Sequence, residues 1–140
     1  MAGPGLRIHV ADNHALHIAI VCVAAVVHSM GAAWPFSTVF SHGEPNWLLE
    51  IASLTALVIV LQATTSRRRA IRLGWIFATI WLCGTFWWLY ISMHTYAGLD
   101  PILTAVAIFA LAAALGGYYA LACGAFWLLR GRAACLASLP

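Results

Sequence analysis

The distribution of basic residues along this chain limits the folds that it can adopt. Four long apolar stretches divide the sequence, and all seven basic residues lie in three of the five segments that flank them. These residues are Arg7, Arg67, Arg68, Arg69, Arg72, Arg130 and Arg132. Loops rich in Lys and Arg face the cytoplasm, and Arg inserts poorly into hydrocarbon. The pattern predicts an all-α integral membrane protein with four transmembrane helices, short loops and both termini in the cytoplasm.

The composition indicates lipid surroundings. The chain of 140 residues is 64% hydrophobic and 8% charged, whereas soluble domains have about 25% charged residues. The net charge of +3 comes with no Lys-rich or aromatic-interleaved basic patch, so no nucleic acid is expected as a partner. We expect a bacterial inner (cytoplasmic) membrane, since the chain is short, lacks Lys and has no organelle-type transit segment. No cleaved signal peptide is expected, because the first apolar stretch exceeds the usual signal length.

Start and stop signals divide the chain into helices within a single domain, residues 1–140. The helices are expected at about residues 14–34, 46–65, 71–94 and 101–129. Pro35 ends or kinks the first, because proline disfavours helical geometry in the residue before it. The second begins near Pro45, and Asp100 caps the fourth with Pro101 in its first turn.

Small residues recur at every fourth position of the fourth predicted helix. They are Ala112, Gly116, Ala120 and Gly124. Such a ridge lets another helix approach closely in a membrane. We expect it to pack against another helix of the same chain, and docking against another subunit is the alternative.

Ionisable residues inside a membrane are candidates for function, because their burial in lipid is unfavourable. His28 either forms a hydrogen bond to a backbone or hydroxyl group, or serves as a haem or metal ligand or a proton relay. A haem b needs two axial His at matched depth, and His94 lies at the outer end of helix 3, so a haem would be shared with a partner subunit. His42, Glu50 and His94 are weak candidates for an outer metal site. The alternative is that the helix dipole stabilises Glu50.

Two further groups lie near the predicted inner surface. His14 and His17 share one helix face, close to Asp12, and either bind a metal or lie in the interface as partly solvated side chains. Four arginines form the second group, Arg67, Arg68, Arg69 and Arg72. This cluster sets the topology and can also hold anionic lipid head groups.

The third predicted helix has an aromatic face that includes Trp81, Trp87 and Trp88. With His28 and His94, this face is a candidate site for a quinone, a haem or a pigment shared with a partner subunit. Packing against a neighbouring helix is the alternative interpretation.

No catalytic or nucleotide-binding motif of the known short classes occurs in the sequence. The leading hypothesis is a small accessory or anchor subunit of an energy-transducing or electron-transfer complex. It would have other integral membrane subunits as partners and no catalytic activity on its own. One alternative is a small oligomeric transporter or channel in which His28 and Glu50 handle protons or cations. The other is a haem- or metal-dependent membrane enzyme.

Overall fold

The computed structural model of the chain describes residues 14–32 and 45–136, with side chains as far as residue 130. This part is helical and contains no strand. Its elements are α1 (His14–Ala32), α2 (Trp47–Ala63), α3 (Arg67–Thr85), α4 (Trp87–Ile91), a π-helical turn (Ser92–Tyr96) and α5 (Pro101–Leu136). The expected all-helical class is confirmed for the described residues.

Side-chain caps begin two of the long helices. Asn46 Oδ1 accepts hydrogen bonds from the backbone N–H groups of Leu48 and Leu49, at 3.2 and 3.4 Å, at the start of α2. Asp100 Oδ1 does the same for Ile102 and Leu103, at 2.9 and 3.1 Å, at the start of α5. Such caps satisfy N–H groups that have no partner within the helix.

The third helix is the centre of the bundle. The extensive helix contacts follow the order α2–α1–α3–α5, so α3 packs against α1 on one side and against α5 on the other. Phe77 of α3 and Val21 of α1 are fully buried in the core, which Leu57 and Leu61 of α2 extend. Many other large apolar side chains point outwards, as expected for helices that lipid surrounds.

Length and apolar composition single out two described helices as candidate membrane spans, His14–Ala32 and Pro101–Arg130. A third candidate is the pair Arg67–Thr85 and Trp87–Tyr96, which is bent by 50°. The α2 helix is apolar but has only 17 residues, about 25 Å at 1.5 Å per residue. The described part of the chain thus contains two or three candidate spans by these criteria.

The observed helices differ from the predicted bounds mainly in three places. The third begins at Arg67 instead of 71, because Thr64–Ser66 alone make the extended turn after α2. It is also interrupted after Thr85, where a continuous helix to 94 was predicted. The last helix continues to Leu136, seven residues beyond the predicted 129. A hydropathy pattern does not reveal such an interruption, because hydropathy is averaged over many residues and the residues on both sides of the break are apolar.

The interruption of the third helix has identifiable local causes. The Thr85 hydroxyl donates a hydrogen bond to the Trp81 carbonyl at 3.0 Å, a contact that bends helices. Gly84 faces α1 so closely that an added Cβ would lie 2.7 Å from Ser29. The chain then continues as α4 and the π-helical turn, and such turns deviate from regular α-helical hydrogen bonding.

Candidate functional site

A row of polar and aromatic side chains crosses the interior of the bundle and includes all four long helices. Ser53 of α2 lies 2.7 Å from His28 Nδ1 of α1. The His28 ring meets Trp81 of α3 edge-on, with 4.7 Å between centroids, and Trp81 meets Tyr119 of α5 in the same manner at 5.3 Å. This row, Ser53–His28–Trp81–Tyr119, is the interior polar row.

The contacts of Ser53 favour one tautomer of His28. Ser53 Oγ lies 2.8 Å from the Glu50 carbonyl, which can only accept a hydrogen bond. When Ser53 donates to that carbonyl, it accepts from His28, and the imidazole proton is on Nδ1. The side chain of His28 is 7% exposed and also contacts Phe77, at 5.5 Å between ring centroids. The arrangement fits the interpretation of His28 as hydrogen-bonded to a hydroxyl group.

Trp81 has an unused donor in this row. Its Nε1 is buried and has no hydrogen-bond partner among the described residues. The aromatic contacts of Trp81 connect α1 with α5 through α3. The role of Trp81 and His28 in binding a cofactor stays a prediction.

The other aromatic candidates lie where the third helix is broken. Trp87 and Trp88 are 64% and 60% exposed. The Trp87 ring stacks on Tyr90 at 5.7 Å, and Tyr90 contacts His94 at 5.6 Å. His94 donates from Nδ1 to the Leu99 carbonyl at 2.8 Å. We call this part of the bundle, with the N-termini of α2 and α5, the aromatic end.

Two grooves flank the break at the aromatic end. The larger, of about 430 Å³, separates the last turn of α1 from the residues around the break. It is lined by Ser29, Met30, Ala32, Gly84, Thr85, Trp87 and Trp88. The smaller, of about 180 Å³, lies between α4 and α5. It is lined by Cys83, Phe86, Trp87, Tyr90, Ala105, Ile108 and Phe109. Both are apolar spaces with indole or phenol rings at their edges.

The weak metal candidates do not come together in the described part of the chain. Glu50 lies in the first turn of α2 beside Gly31, whereas His94 bonds to Leu99. His42 lies outside the described residues. No group of three His, Cys, Asp or Glu side chains within residues 14–32 and 45–130 is arranged to hold a metal ion.

The small-residue ridge of α5 faces α3. A Cβ added at Gly116 would lie 2.9 Å from Thr79 Oγ1, and one added at Gly124 would lie 2.9 Å from Ile71 Cγ1. Ala112 and Ala120 are buried as well. The ridge is therefore occupied by a helix of the same chain.

Arginines occupy the end of the bundle opposite the aromatic end. Arg67, Arg68, Arg69 and Arg72 lie in the first two turns of α3. Arg130 of α5 reaches the same level, because its guanidinium donates to carbonyl groups at the end of α2. We call this part the arginine end.

Sequence reasoning missed several residues that organise these sites. Ser53 and Tyr119 complete the interior polar row, and Gly74 lets α5 approach α3 so closely that an added Cβ would lie 2.5 Å from Cys123 Sγ. Each is an ordinary small or aromatic residue in its own helix. Only the position of the facing helix gives it a partner, so no signal in the single sequence could have found it.

Apolar helices, outward-facing apolar side chains and an arginine end together define a helical integral membrane domain. Comparison with known proteins identifies the family of this domain. Residues 39–140 match the family described as apolipoprotein N-acyltransferase N-terminal domain, and the chain belongs to this family. The match includes every described element except α1.

Curated relatives bear the same name. The apolipoprotein N-acyltransferase of Verminephrobacter eiseniae is 44% identical over 108 residues, which are 74% of this chain and 19% of that protein. The Bordetella bronchiseptica protein is 35% identical over 114 residues, 79% of this chain and 20% of that protein. The Pseudomonas putida protein is 36% identical over 89 residues, which are 62% of this chain and 17% of that protein. The chain thus spans about a fifth of the length of its relatives. No solved structure matches it.

These findings overturn the function inferred from the sequence. The hypothesis of an accessory subunit of an energy-transducing or electron-transfer complex was wrong, as were the transporter and the haem- or metal-dependent enzyme, because the relatives are acyltransferases. The reason is physical. Composition and charge pattern in this chain report the lipid solvent and not the reaction that a membrane domain serves.

Proposed function

We propose that this chain forms the membrane-embedded N-terminal helical domain of an apolipoprotein N-acyltransferase in a bacterial inner membrane. The observation that carries the proposal is the family match over residues 39–140, which includes α2, α3, α4 and α5. The acyl transfer itself belongs to the whole enzyme. This chain contributes its anchorage and apolar surfaces that contact acyl chains.

We further propose four membrane-spanning segments with the arginine end in the cytoplasm. Five described arginines lie at that end, namely Arg67, Arg68, Arg69, Arg72 and Arg130. The two described carboxylates, Glu50 and Asp100, lie at the start of α2 and α5, at the aromatic end. Cytoplasmic loops attract Lys and Arg, which supports this orientation. The α2 helix is short but bridges most of a hydrocarbon core of about 30 Å.

The grooves at the aromatic end support contact with acyl chains. They are apolar and lie beside the exposed rings of Trp87 and Trp88. Indole rings prefer the membrane–water interface, so this end lies where a lipid-linked substrate presents its first methylene groups. By the proposed orientation it is the side away from the cytoplasm.

A chimeric enzyme tests the acyltransferase assignment. The region of the Verminephrobacter eiseniae enzyme that aligns with this chain is replaced by the sequence described here. The chimera is expressed in bacteria depleted of their own apolipoprotein N-acyltransferase. Mass spectrometry of a lipoprotein's N-terminal peptide then measures N-acylation. We expect acylation to be restored, with the native enzyme and the enzyme lacking this region as controls. A chimera that inserts into the membrane at native level without acylating lipoprotein would contradict the proposal.

Cysteine labelling tests the topology separately. In a chain whose native cysteines are replaced by alanine or serine, Ala97→Cys and Thr65→Cys place single thiols at exposed positions at opposite ends. We expect a membrane-impermeant maleimide to label Ala97→Cys in intact spheroplasts, and Thr65→Cys only after permeabilisation. Equal labelling of both thiols in intact spheroplasts would exclude the proposed orientation.

A further inference from the structure

A pocket at the arginine end combines cations with an apolar floor. It has a volume of about 160 Å³ and lies between the first turns of α1 and α3. It is lined by His14, His17, Ile18, Arg69, Arg72, Leu73 and Ile76. An engineered cavity of about 150 Å³ holds a benzene molecule. The pocket at the arginine end is therefore large enough for a phosphate group with its first ester carbon.

His17, one of the residues that line this pocket, has a buried polar atom without a partner. The side chain of His17 is 3% exposed, and its Nε2 has no hydrogen-bond partner among the described residues. A buried polar atom without a partner is unfavourable, because it has lost its hydrogen bonds to water. His17 lines this pocket and also an apolar space between α1 and α2. Of the two, only this pocket has guanidinium groups in its lining. An acceptor bound here, with the proton of His17 on Nε2, would remove the penalty.

The electrostatic field of the pocket favours an anion. Arg69 and Arg72 contribute two guanidinium groups to the lining. The pocket also lies at the N-terminal ends of both α1 and α3, where helix dipoles favour negative charge. The described carboxylates, Glu50 and Asp100, are at the aromatic end of the bundle, and Asp12, two residues before α1, lies outside the described residues.

The floor of the pocket distinguishes a lipid from a soluble anion. Ile18, Leu73 and Ile76 line it below the cations. An inorganic phosphate has no apolar part that could cover these three side chains. The glycerol and first acyl methylenes of a phospholipid would cover them while the phosphate meets the guanidinium groups.

We propose that this pocket is a binding site for the phosphate group of an anionic phospholipid. His17 Nε2–H and the guanidinium of Arg72 donate hydrogen bonds to the phosphate oxygens, and Arg69 adds positive charge. In the proposed orientation the lipid belongs to the cytoplasmic leaflet. Such a lipid fixes α1 against α3 at the end where their positive dipoles and arginines would otherwise repel one another. The site is independent of the acyl-transfer reaction.

Native mass spectrometry of the full chain in detergent tests this proposal. The chain is titrated with phosphatidylglycerol or with zwitterionic phosphatidylcholine of the same acyl chains, at about 0.5 M salt, where diffuse attraction between exposed charges is screened. We expect phosphatidylglycerol to bind at least about tenfold more tightly. Both lipids carry the same phosphodiester, so the difference reports the choline ammonium group, which the guanidinium groups of the pocket repel.

Two matched variants distinguish lipid binding in the pocket from attraction of lipid by the overall positive charge of α3. Arg72→Gln removes a guanidinium that lines the pocket, whereas Arg68→Gln removes the same charge one turn away, outside the lining. We expect about tenfold weaker phosphatidylglycerol binding for Arg72→Gln and less than about twofold change for Arg68→Gln. Equal losses in the two variants would overturn the pocket assignment.

Two substitutions of His17 test its donor. His17→Gln keeps an N–H donor near the position of Nε2, while His17→Leu removes it. We expect His17→Gln to retain binding within about threefold and His17→Leu to weaken it by about tenfold. The midpoint of thermal unfolding without added lipid identifies any variant whose fold has changed. Loss of binding in both variants, with unfolding midpoints unchanged, would refute the role of the Nε2 donor.

Competition identifies the source of the phosphate. Soluble glycerol 3-phosphate is added in excess to the lipid-bound chain. Retention of the lipid supports the proposal. Complete displacement at millimolar concentration, or equal affinity for phosphatidylglycerol and phosphatidylcholine, would overturn it, and neither result would affect the acylation measured with the chimera.

Discussion

The guanidinium of Arg130 donates a hydrogen bond of 2.7 Å to the carbonyl oxygen of Leu61, 69 residues earlier in the chain. The same guanidinium donates to the Gln62 and Thr64 carbonyls and lies 5.6 Å from the centre of the Trp127 ring. These carbonyl groups are at the C-terminus of α2, where the helix supplies few further N–H donors and where the dipole favours a cation. Of the three, the Leu61 carbonyl also accepts the Thr64 backbone N–H, at 3.2 Å. Arg130 thus caps α2 from α5, in addition to its contribution to the charge pattern.

Replacement of Arg130 is expected to destabilise the bundle. Arg130→Gln should lower the free energy of unfolding by about 2 kcal/mol, because the carbonyl groups lose a charged donor. Arg130→Lys should recover only part of this loss, since one ammonium group cannot match the fork of a guanidinium. Unfolding in mixed detergent micelles measures the difference. Arg68→Gln is the control, with an expected change within about 0.5 kcal/mol. Equal stability of all three variants would contradict the capping role.

Close approach of α3 and α5 predicts that Gly74→Ala is unfavourable. The added Cβ would lie 2.5 Å from Cys123 Sγ, 2.8 Å from Cys123 Cβ and 3.0 Å from the Tyr119 carbonyl. We expect a loss of about 1–3 kcal/mol in the free energy of unfolding, typical of overpacking. Gly117→Ala is the matched control, because an added Cβ there has nothing within 4 Å. Both changes gain helix propensity equally, so the difference between them reports packing alone.

A second substitution should relieve the overpacking at Gly74. In Gly74→Ala/Cys123→Gly the Sγ and Cβ atoms that the new methyl group would meet are absent. We expect Gly74→Ala to cost less free energy of unfolding in the Cys123→Gly background than in the chain with Cys123. Strictly additive losses in the double-mutant cycle would show that these two side chains do not meet.

The hydrogen bond between His28 and Ser53 should appear as a coupling energy. His28→Phe keeps a ring of similar shape without Nδ1, and Ser53→Ala removes the hydroxyl group that lies 2.7 Å away. Hydrogen bonds between membrane helices contribute about 0.6–1.7 kcal/mol. A double-mutant cycle for the free energy of unfolding in micelles should give a value in this range. A coupling near zero would mean that the two helices are not connected through this pair.

Filling the larger groove at the aromatic end should reduce acylation by the chimeric enzyme. Met30→Trp places an indole in the groove of about 430 Å³. Loss of even one methylene contact in an apolar pocket corresponds to about tenfold in enzyme specificity, so we expect at least about a tenfold lower rate. Val26→Trp, on an exposed part of α1 that does not line the groove, is the control. Equal rates for both variants at equal membrane levels would exclude contact between the groove and the acyl chain.

Individual residues show how far the sequence could predict the site. The Asp100 cap and the clustering of Arg67–Arg72 with Arg130 followed from local rules, because capping and positive-inside bias act within a few residues. The break after Thr85 did not, since apolar residues continue through it and the approach of Gly84 to Ser29 of another helix is visible only in the fold. His28 was recognised as a buried ionisable group, but its partner Ser53 became visible only when α1 and α2 were placed side by side.

The sequence by itself determined the solvent of this protein, the helical class and the separation of the described arginines from the described carboxylates, Glu50 and Asp100. It did so because hydropathy and charge are properties of segments, and a membrane sorts segments one by one. Only the tertiary structure decided that α3 is central, that the α5 ridge packs on it, and that His17, Arg69 and Arg72 line one pocket. The small-residue ridge of α5 marked a packing face in the sequence, but in helices that are apolar on every side nothing marks which helix will meet that face. Their neighbours are selected by the fit of particular side chains, which exists only in three dimensions.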